Sequence, residues 1–197
     1  MPRGSDLIAA INAQDVSALD EVLETLDGSI PSRAVIDASR LAWKAGLVRL
    51  KKHRGDGVRV LNASYRSYRP LHALIQEHPH KGGSSTAKRA ACLEWMPANG
   101  ADPTAALPSA LWRQDYDTAE RLLARGASID RAIDEGRPLL NNLIRWGQFK
   151  PAMWLLDKGA SVTREDARGW TALDQARSRG NRRMLDAVVA RSRKRPA

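Results

Sequence analysis

Apolar residues recur at intervals of three and four along much of this chain of 197 residues. Leu7, Ile8 and Ile11, followed by Val16, Leu19, Val22 and Leu23, predict two short amphipathic helices near the start. Leu139, Leu140, Leu143 and Ile144 repeat the spacing, as do Met153, Leu155 and Leu156. Helices this short do not cover their own apolar stripe and are marginal alone, so each needs a neighbour. The chain holds a single Phe and few Val/Ile alternations, which argues against a large sheet. The pattern predicts an all-α protein of stacked helix pairs.

A short block punctuates those helices. Gly126-Ala127-Ser128-Ile129-Asp130 returns as Gly159-Ala160-Ser161-Val162-Thr163, and Gly100-Ala101-Asp102-Pro103 precedes both. Each copy follows an apolar pair: Leu122-Leu123, Leu155-Leu156 and, less cleanly, Met96-Pro97. Self-similarity on this scale marks a quasi-one-dimensional array of helix-turn-helix units.

At this point the chain resembles the ankyrin-repeat family, whose pattern runs D-x-x-G-x-T-P-L-H-x-A, a Gly turn, and a second helix ending in L-L and G-A-D. Asp166 to Gly180 follows it closely, with Ala172 for the Pro and Asp174 for the His. Arg69-Pro70-Leu71-His72-Ala73 is a second good match, and Gly136-Arg137-Pro138-Leu139-Leu140 a weaker one. Gly126 and Gly159 are 33 residues apart, the family's repeat length. The interval from Gly100 to Gly126 is only 26, so the loop from Asp102 to Pro108 is expected to lack a hairpin. From Gly57 to Gly100 it is 43, which places an insertion at 78–87. The resemblance implies a solenoid of stacked helix-turn-helix repeats with short β-hairpin loops, the hairpin before Trp170 being the best formed. A single domain over 1–197 is expected, with repeats near 6–27, 34–57, 69–100, 105–126, 137–159 and 170–193. Gln14-Asp15 takes the first turn and Gly46 the second.

Charge narrows the partner. The net charge is +10, but residues 1–33 carry −4, residues 34–100 carry +8, residues 101–160 are neutral and residues 161–197 carry +6. This layout suits an anionic partner steered to the middle or to the carboxy end. The lone Cys92 forms no disulfide within the chain, suits a reducing cytoplasm and reads as buried filler. No apolar run approaches the ~20 residues of a membrane-spanning helix. Asp6 and Asp15 interrupt any signal-peptide core. Met1-Pro-Arg-Gly-Ser5 resembles a protease-cleavage scar and would then not be native sequence.

In proteins similar to ankyrin repeats, the two positions before each inter-helix turn and the hairpin line a concave binding face. Aligned on that basis, Trp112-Arg113, Arg145-Trp146 and Ser178-Arg179 precede the turns at Gln114, Gly147 and Gly180. The hairpins contribute Tyr65, Arg66, Tyr68, Arg69, Arg168 and Trp170. Aromatic and Arg side chains dominate binding hot spots because they desolvate a large area and keep a polar handle. Trp43, Trp95 and Trp154 fall at interior or second-helix positions and are expected to pack between repeats.

Other features carry less chemistry. His72, His78 and His80 lack adjacent Cys or paired carboxylates, so no metal site is expected. Gly82-Gly83-Ser84-Ser85-Thr86 lacks the Gly-Lys-Ser/Thr spacing of a phosphate loop and is expected to be a mobile insertion. Asp115, Asp117 and Glu120 open a helix, where they offset its dipole and are placed to pair with Arg113 or Arg121. No nucleophile, base and orienting group can be assembled, and no cofactor is implied. The expectation is a non-catalytic recognition module, monomeric and cytoplasmic, binding an acidic protein as an adaptor, inhibitor or immunity-type factor. The alternative is nucleic-acid binding through basic residues 34–100 and the tail from Arg191, where neutral residues 101–160 would interrupt a phosphate-tracking stripe.

Overall fold

The computed structural model describes residues 4–53, 57–65, 68–76, 86–132 and 136–193. It divides into two compact units, Met1–Ser109 and Ala110–Ala197. The first contains α1 (Gly4–Ala13), α2 (Val16–Thr25), α3 (Ser32–Arg40), α4 (Lys44–Lys52), α5 (Gly57–Asn62), α6 (Pro70–Gln76) and α7 (Thr86–Ala98). The helix α8 (Leu107–Trp112) begins in the first unit and ends in the second. The second unit continues with α9 (Tyr116–Ala124), α10 (Leu139–Arg145), α11 (Phe149–Asp157), α12 (Ala172–Ser178) and α13 (Arg182–Arg193).

Each unit is two layers of helices. In the first, α1, α3 and α6 form the inner row, packed in that order, with α2, α4 and α7 behind them. In the second, α10 packs on α12 in the inner row, and α11 packs on α13 in the outer. The predicted stripes face inward: Leu7, Ile11, Leu19, Leu47 and Leu50 are fully buried in the first unit. Leu111, Leu122, Ile144, Leu155 and Ala176 are fully buried in the second. Inner helices of six or seven residues, such as α8, α10 and α12, hold their shape only through this packing.

Two local devices set the repeat. Outer helices end where Gly100, Gly126 and Gly159 take φ of 98°, 90° and 94°. That left-handed step lets the next N–H reach back a full turn, as Ala127 does to the Leu122 carbonyl (2.9 Å) and Ala160 to that of Leu155 (3.0 Å). The Ala then turns inward and is buried, which is why Gly-Ala recurs as a pair. Inner helices end on a left-handed residue followed directly by the cap of the next helix. Gln14 (φ 52°) precedes Asp15, which accepts from the Ser17 and Ala18 N–H groups. Gln114 (φ 57°) precedes Asp115, which accepts from the Thr118 N–H.

Three expectations need correction. The turn of the second repeat is not at Gly46 but at Ala42 (φ 48°), four residues earlier. Gly46 lies inside α4, where the Trp43 ring rests directly on it and leaves no room for a Cβ. The best-formed hairpin is not the one before Trp170. Tyr65 and Tyr68 exchange both backbone hydrogen bonds (2.9 Å each), and Ala132 bridges Pro138. At the third loop the Asp166 carboxylate takes the N–H groups of Arg168 and Trp170, and the backbone bonds are Asp166 N–H to the Trp170 carbonyl (3.0 Å) and Gly169 N–H to the Asp166 carbonyl (2.9 Å), without a paired bridge. A short helix, α5, also stands between the second and third pairs without having been expected. The shortened loop after Asp102 does lack a hairpin. It is one 3-10 turn, Pro103–Ala105, capped by Asp102. Most of the insertion at 78–87 lies outside the described residues, and Thr86 opens α7.

The packing at Gly46 inverts an ordinary rule. In an exposed helix interior Gly→Ala stabilises by about 1 kcal/mol. Here a methyl group would overlap the Trp43 ring, so Gly46→Ala should instead destabilise by about 1–3 kcal/mol. Chemical denaturation of the variant checks the sign.

Candidate aromatic and basic recognition surface

Tryptophan exposure divides the six residues into two sets. Trp112, Trp146 and Trp170 are 52%, 58% and 41% exposed, whereas Trp43 is buried at 7%. Trp95 and Trp154 are half-buried on outer helices. Lys51 lies over the Trp95 ring (5.9 Å) and donates to Asn99 Oδ1 (2.8 Å). Trp154 stacks on Tyr116 of the preceding outer helix (5.6 Å) and carries Lys158 on its ring (5.3 Å). These two therefore join neighbouring helices, as the sequence suggested, while the exposed three have surface left over.

All three exposed rings are in the second unit, at the ends of inner helices or in the loop before one. Trp112 closes α8, with the exposed Arg113 next to it. Arg145 and Trp146 close α10, and the Arg145 guanidinium sits 5.7 Å from the Trp146 ring centroid. Arg179 follows α12, and its Nη2 lies 3.4 Å from the point a Cβ on Gly147 would occupy. Thus Arg179 crosses the turn beside Trp146. Arg168 and Trp170 are exposed in the loop before α12.

That loop is held from beneath. Asp166 is buried and forms an ion pair with the buried Arg137 (3.4 Å). Its Oδ1 accepts from the N–H of Arg168 (2.9 Å) and of Trp170 (3.1 Å), and Gln175 Nε2 donates to its other oxygen (3.4 Å). Burial alone would raise the Asp166 carboxyl. The Trp170 and Arg168 N–H groups and the Arg137 guanidinium outweigh it and hold the acid below its ordinary value. Asn141 of α10, fully buried, donates to the Trp170 and Arg164 carbonyls (2.9 and 3.3 Å). The position of Trp170 is therefore fixed by residues 29 to 33 positions earlier. Asp166 stood in the sequence as part of a motif, but neither its pairing with Arg137 nor the role of Asn141 under Trp170 was legible there.

The first unit treats its aromatic residues differently. Tyr68 stacks on His72 (5.2 Å) and has the Arg40 guanidinium over its ring (5.5 Å). Burial lowers the His72 imidazole, which favours its neutral form. Arg69 pairs with Asp102 (3.9 Å), and Tyr65 is half-buried beside the bridge. Arg66 lies outside the described residues, as do His78 and His80. Arg40 is the residue that sequence reading missed, because only the packing of α3 on α6 brings it to Tyr68.

Several basic residues proposed for phosphate tracking are engaged internally. Arg40 pairs with Asp37 (3.8 Å), and Arg49 with Asp20 (2.8 Å). Arg191 donates to the Leu156 carbonyl at the end of α11, where a cation complements the helix dipole. Glu120 pairs with Lys158 of the next outer helix (2.5 Å). Cys92 is fully buried, and burial pushes its thiol up to about 11, away from reactivity. Among the described residues no cluster of His, Cys, Asp and Glu could hold a metal ion, and no helix is long and apolar enough to cross a membrane.

The paired helices match a solved ankyrin repeat domain from Acinetobacter baumannii AYE with a TM-score of 0.64. The match covers 94% of this chain and 97% of that one at 20% sequence identity. No family model matches the sequence, and neither does any curated protein. The fold is that of an ankyrin repeat domain.

Proposed function

We propose that this chain is a non-catalytic recognition module that binds an acidic protein partner through Trp112, Arg113, Arg145, Trp146, Arg168, Trp170 and Arg179. The observation that carries the reading is the exposure of three Trp rings, two at inner-helix ends and one in the loop before α12, in a molecule that packs its other three. Large apolar rings held in water, that of Trp146 with the Arg145 guanidinium 5.7 Å from its centroid, form the kind of patch that a partner desolvates. Asp166 is buried beneath the loop and Asp115 caps α9. Binding would act by occlusion or scaffolding, as an adaptor, an inhibitor or an immunity-type factor.

The test is the double variant Trp112→Ala, Trp146→Ala. Proteins captured by the wild type are identified by mass spectrometry, with and without nuclease, and the purified partner is titrated. Binding should weaken by about 2 kcal/mol or more while the thermal melt stays nearly unchanged. If the rings instead pack between repeats, each change should cost about 3–5 kcal/mol of stability. Nuclease-sensitive capture with a log-log salt slope near −0.9 per phosphate, indifferent to both Trp changes, would replace the reading with nucleic-acid binding.

A further inference from the structure

We infer that the acidic groups of the bound protein gather at the turn between α12 and α13, where Arg177, Arg179, Arg182 and Arg183 receive them. The inference rests on the recognition reading above; it adds Arg177, Arg182 and Arg183 to that surface and gives the surface a direction.

Four of the seven residues from Arg177 to Arg183 are arginine, and all four side chains are exposed. Other guanidiniums of this chain are tied to its structure: Arg137 to Asp166, Arg49 to Asp20, and Arg191 to the Leu156 carbonyl. Among the described residues none of these four joins an ion pair. Asp174 is near enough to Arg177 to feel its charge, but its Oδ2 already accepts from the Thr171 N–H and hydroxyl (2.9 and 2.6 Å). Arg179 joins the cluster to the exposed Trp146, because its Nη2 lies against the Gly147 turn.

Two of the arginines stand where the helix itself disfavours them. Arg182 and Arg183 open α13, whose first turn holds no acid. The free N–H groups at a helix N-terminus carry a positive partial charge, so anions stabilise that end and cations destabilise it. Neutral Asn181 caps α13 by accepting from the Met184 N–H (2.9 Å), whereas Asp115 caps α9 and Asp117 follows in its first turn. An incoming carboxylate would relieve the arrangement at α13.

Charge changes sign along the outer row. The helix α9 opens on Asp115 and Asp117, α11 on Lys150, and α13 on Arg182 and Arg183, all exposed. These helices are consecutive, since Tyr116 of α9 stacks on Trp154 of α11, and α11 packs on α13. The rings run the other way: Trp112 and Trp146 stand before the turns into α9 and α11, and Ser178-Arg179 before the turn into α13. A nucleic acid carries a charge at every phosphate and would meet Asp115 and Asp117 at one end. A protein can confine its carboxylates to one part and offer apolar side chains from another. The gradient therefore fits a protein whose acids lie over the α12–α13 turn and whose apolar groups lie over Trp112 and Trp146.

The double variant Arg182→Glu, Arg183→Glu separates binding from structure, because two readouts should move in opposite directions. The free variant should melt about 2–4 °C higher, its new acids being favoured by the helix dipole. Binding of fluorescein-labelled decaglutamate to the intact chain, followed by anisotropy at low salt, should weaken about tenfold or more. The control Lys52→Glu, Arg59→Glu makes the same charge change at exposed positions of the first unit and should alter binding by no more than about twofold. Equal weakening by both pairs, no decaglutamate binding, or a melting temperature that does not rise overturns the inference. A captured protein partner that depends on Trp112 and Trp146 but ignores Arg182 and Arg183 also overturns it, and the recognition reading then stands. A partner indifferent to the Trp changes as well ends both. Decathymidylate that binds more tightly than decaglutamate, and is weakened by the same arginine changes, would overturn it in favour of a single-stranded nucleic acid.

Discussion

Asp166→Ala should lower stability at neutral pH by about 3–5 kcal/mol, among the largest single losses this chain can show. The carboxylate and the Arg137 guanidinium are both buried, with side chains 3% and 6% exposed. Removing one leaves the other charge in the interior without its counter-ion, which costs far more than losing an exposed pair. Two backbone N–H groups, of Arg168 and Trp170, lose their acceptor as well. The loop that presents Trp170 should therefore loosen along with the melt. The pH dependence has a definite sign. The folded-state carboxyl titrates below its ordinary value, so its contribution is complete above the unfolded pKa of about 3.9 and disappears as pH falls through the lower folded value. The difference between wild type and Asp166→Ala, followed by urea denaturation, should shrink as the medium is acidified below about pH 4. A constant difference down to strong acid would assign the loss to packing instead. Asp174, held low by the Thr171 hydroxyl and N–H in the α12 capping box, remains in both proteins and cancels in the comparison.

The second large effect is expected at Trp43. Its ring is buried between the α3–α4 turn and Gly46, and Trp→Ala there should cost about 3–5 kcal/mol through lost burial and the cavity left behind. The same change at Trp146, 58% exposed, should leave stability almost unaltered. A double-mutant cycle adds a sharper requirement. Once Trp43 is Ala, a methyl at Gly46 meets no ring, and Gly46→Ala should return to its helix-favouring sign of about 1 kcal/mol. Additive effects of the two changes would mean that the ring does not rest where the structure places it.

Residues that act through their own backbone were legible in the sequence. Gly126 and Gly159 announce helix ends because the left-handed step tolerates few other side chains, and the buried Ala after each completes the turn. The alignment of turns also separated the Trp residues that pack from those left exposed, because repeat position fixes which side of a helix faces its neighbours. Reading failed where no residue type marks the geometry. Ala42 takes a left-handed turn that glycine usually signals, and Gly46, which looked like that signal, answers instead to a ring above it.

The sequence by itself determined the all-α architecture, the paired helices and the 33-residue recurrence, since helix periodicity and turn chemistry act over a few neighbouring residues. Tertiary structure alone decided which charges and rings remain available. Arg137 with Asp166, Asn141 with the Trp170 carbonyl, and Arg40 with Tyr68 are each pairs about 30 residues apart, brought together by stacking. Burial and pairing depend on the sum of neighbours in space. The surface that offers Trp112, Trp146 and Trp170 to solvent therefore becomes defined only when the repeats have packed.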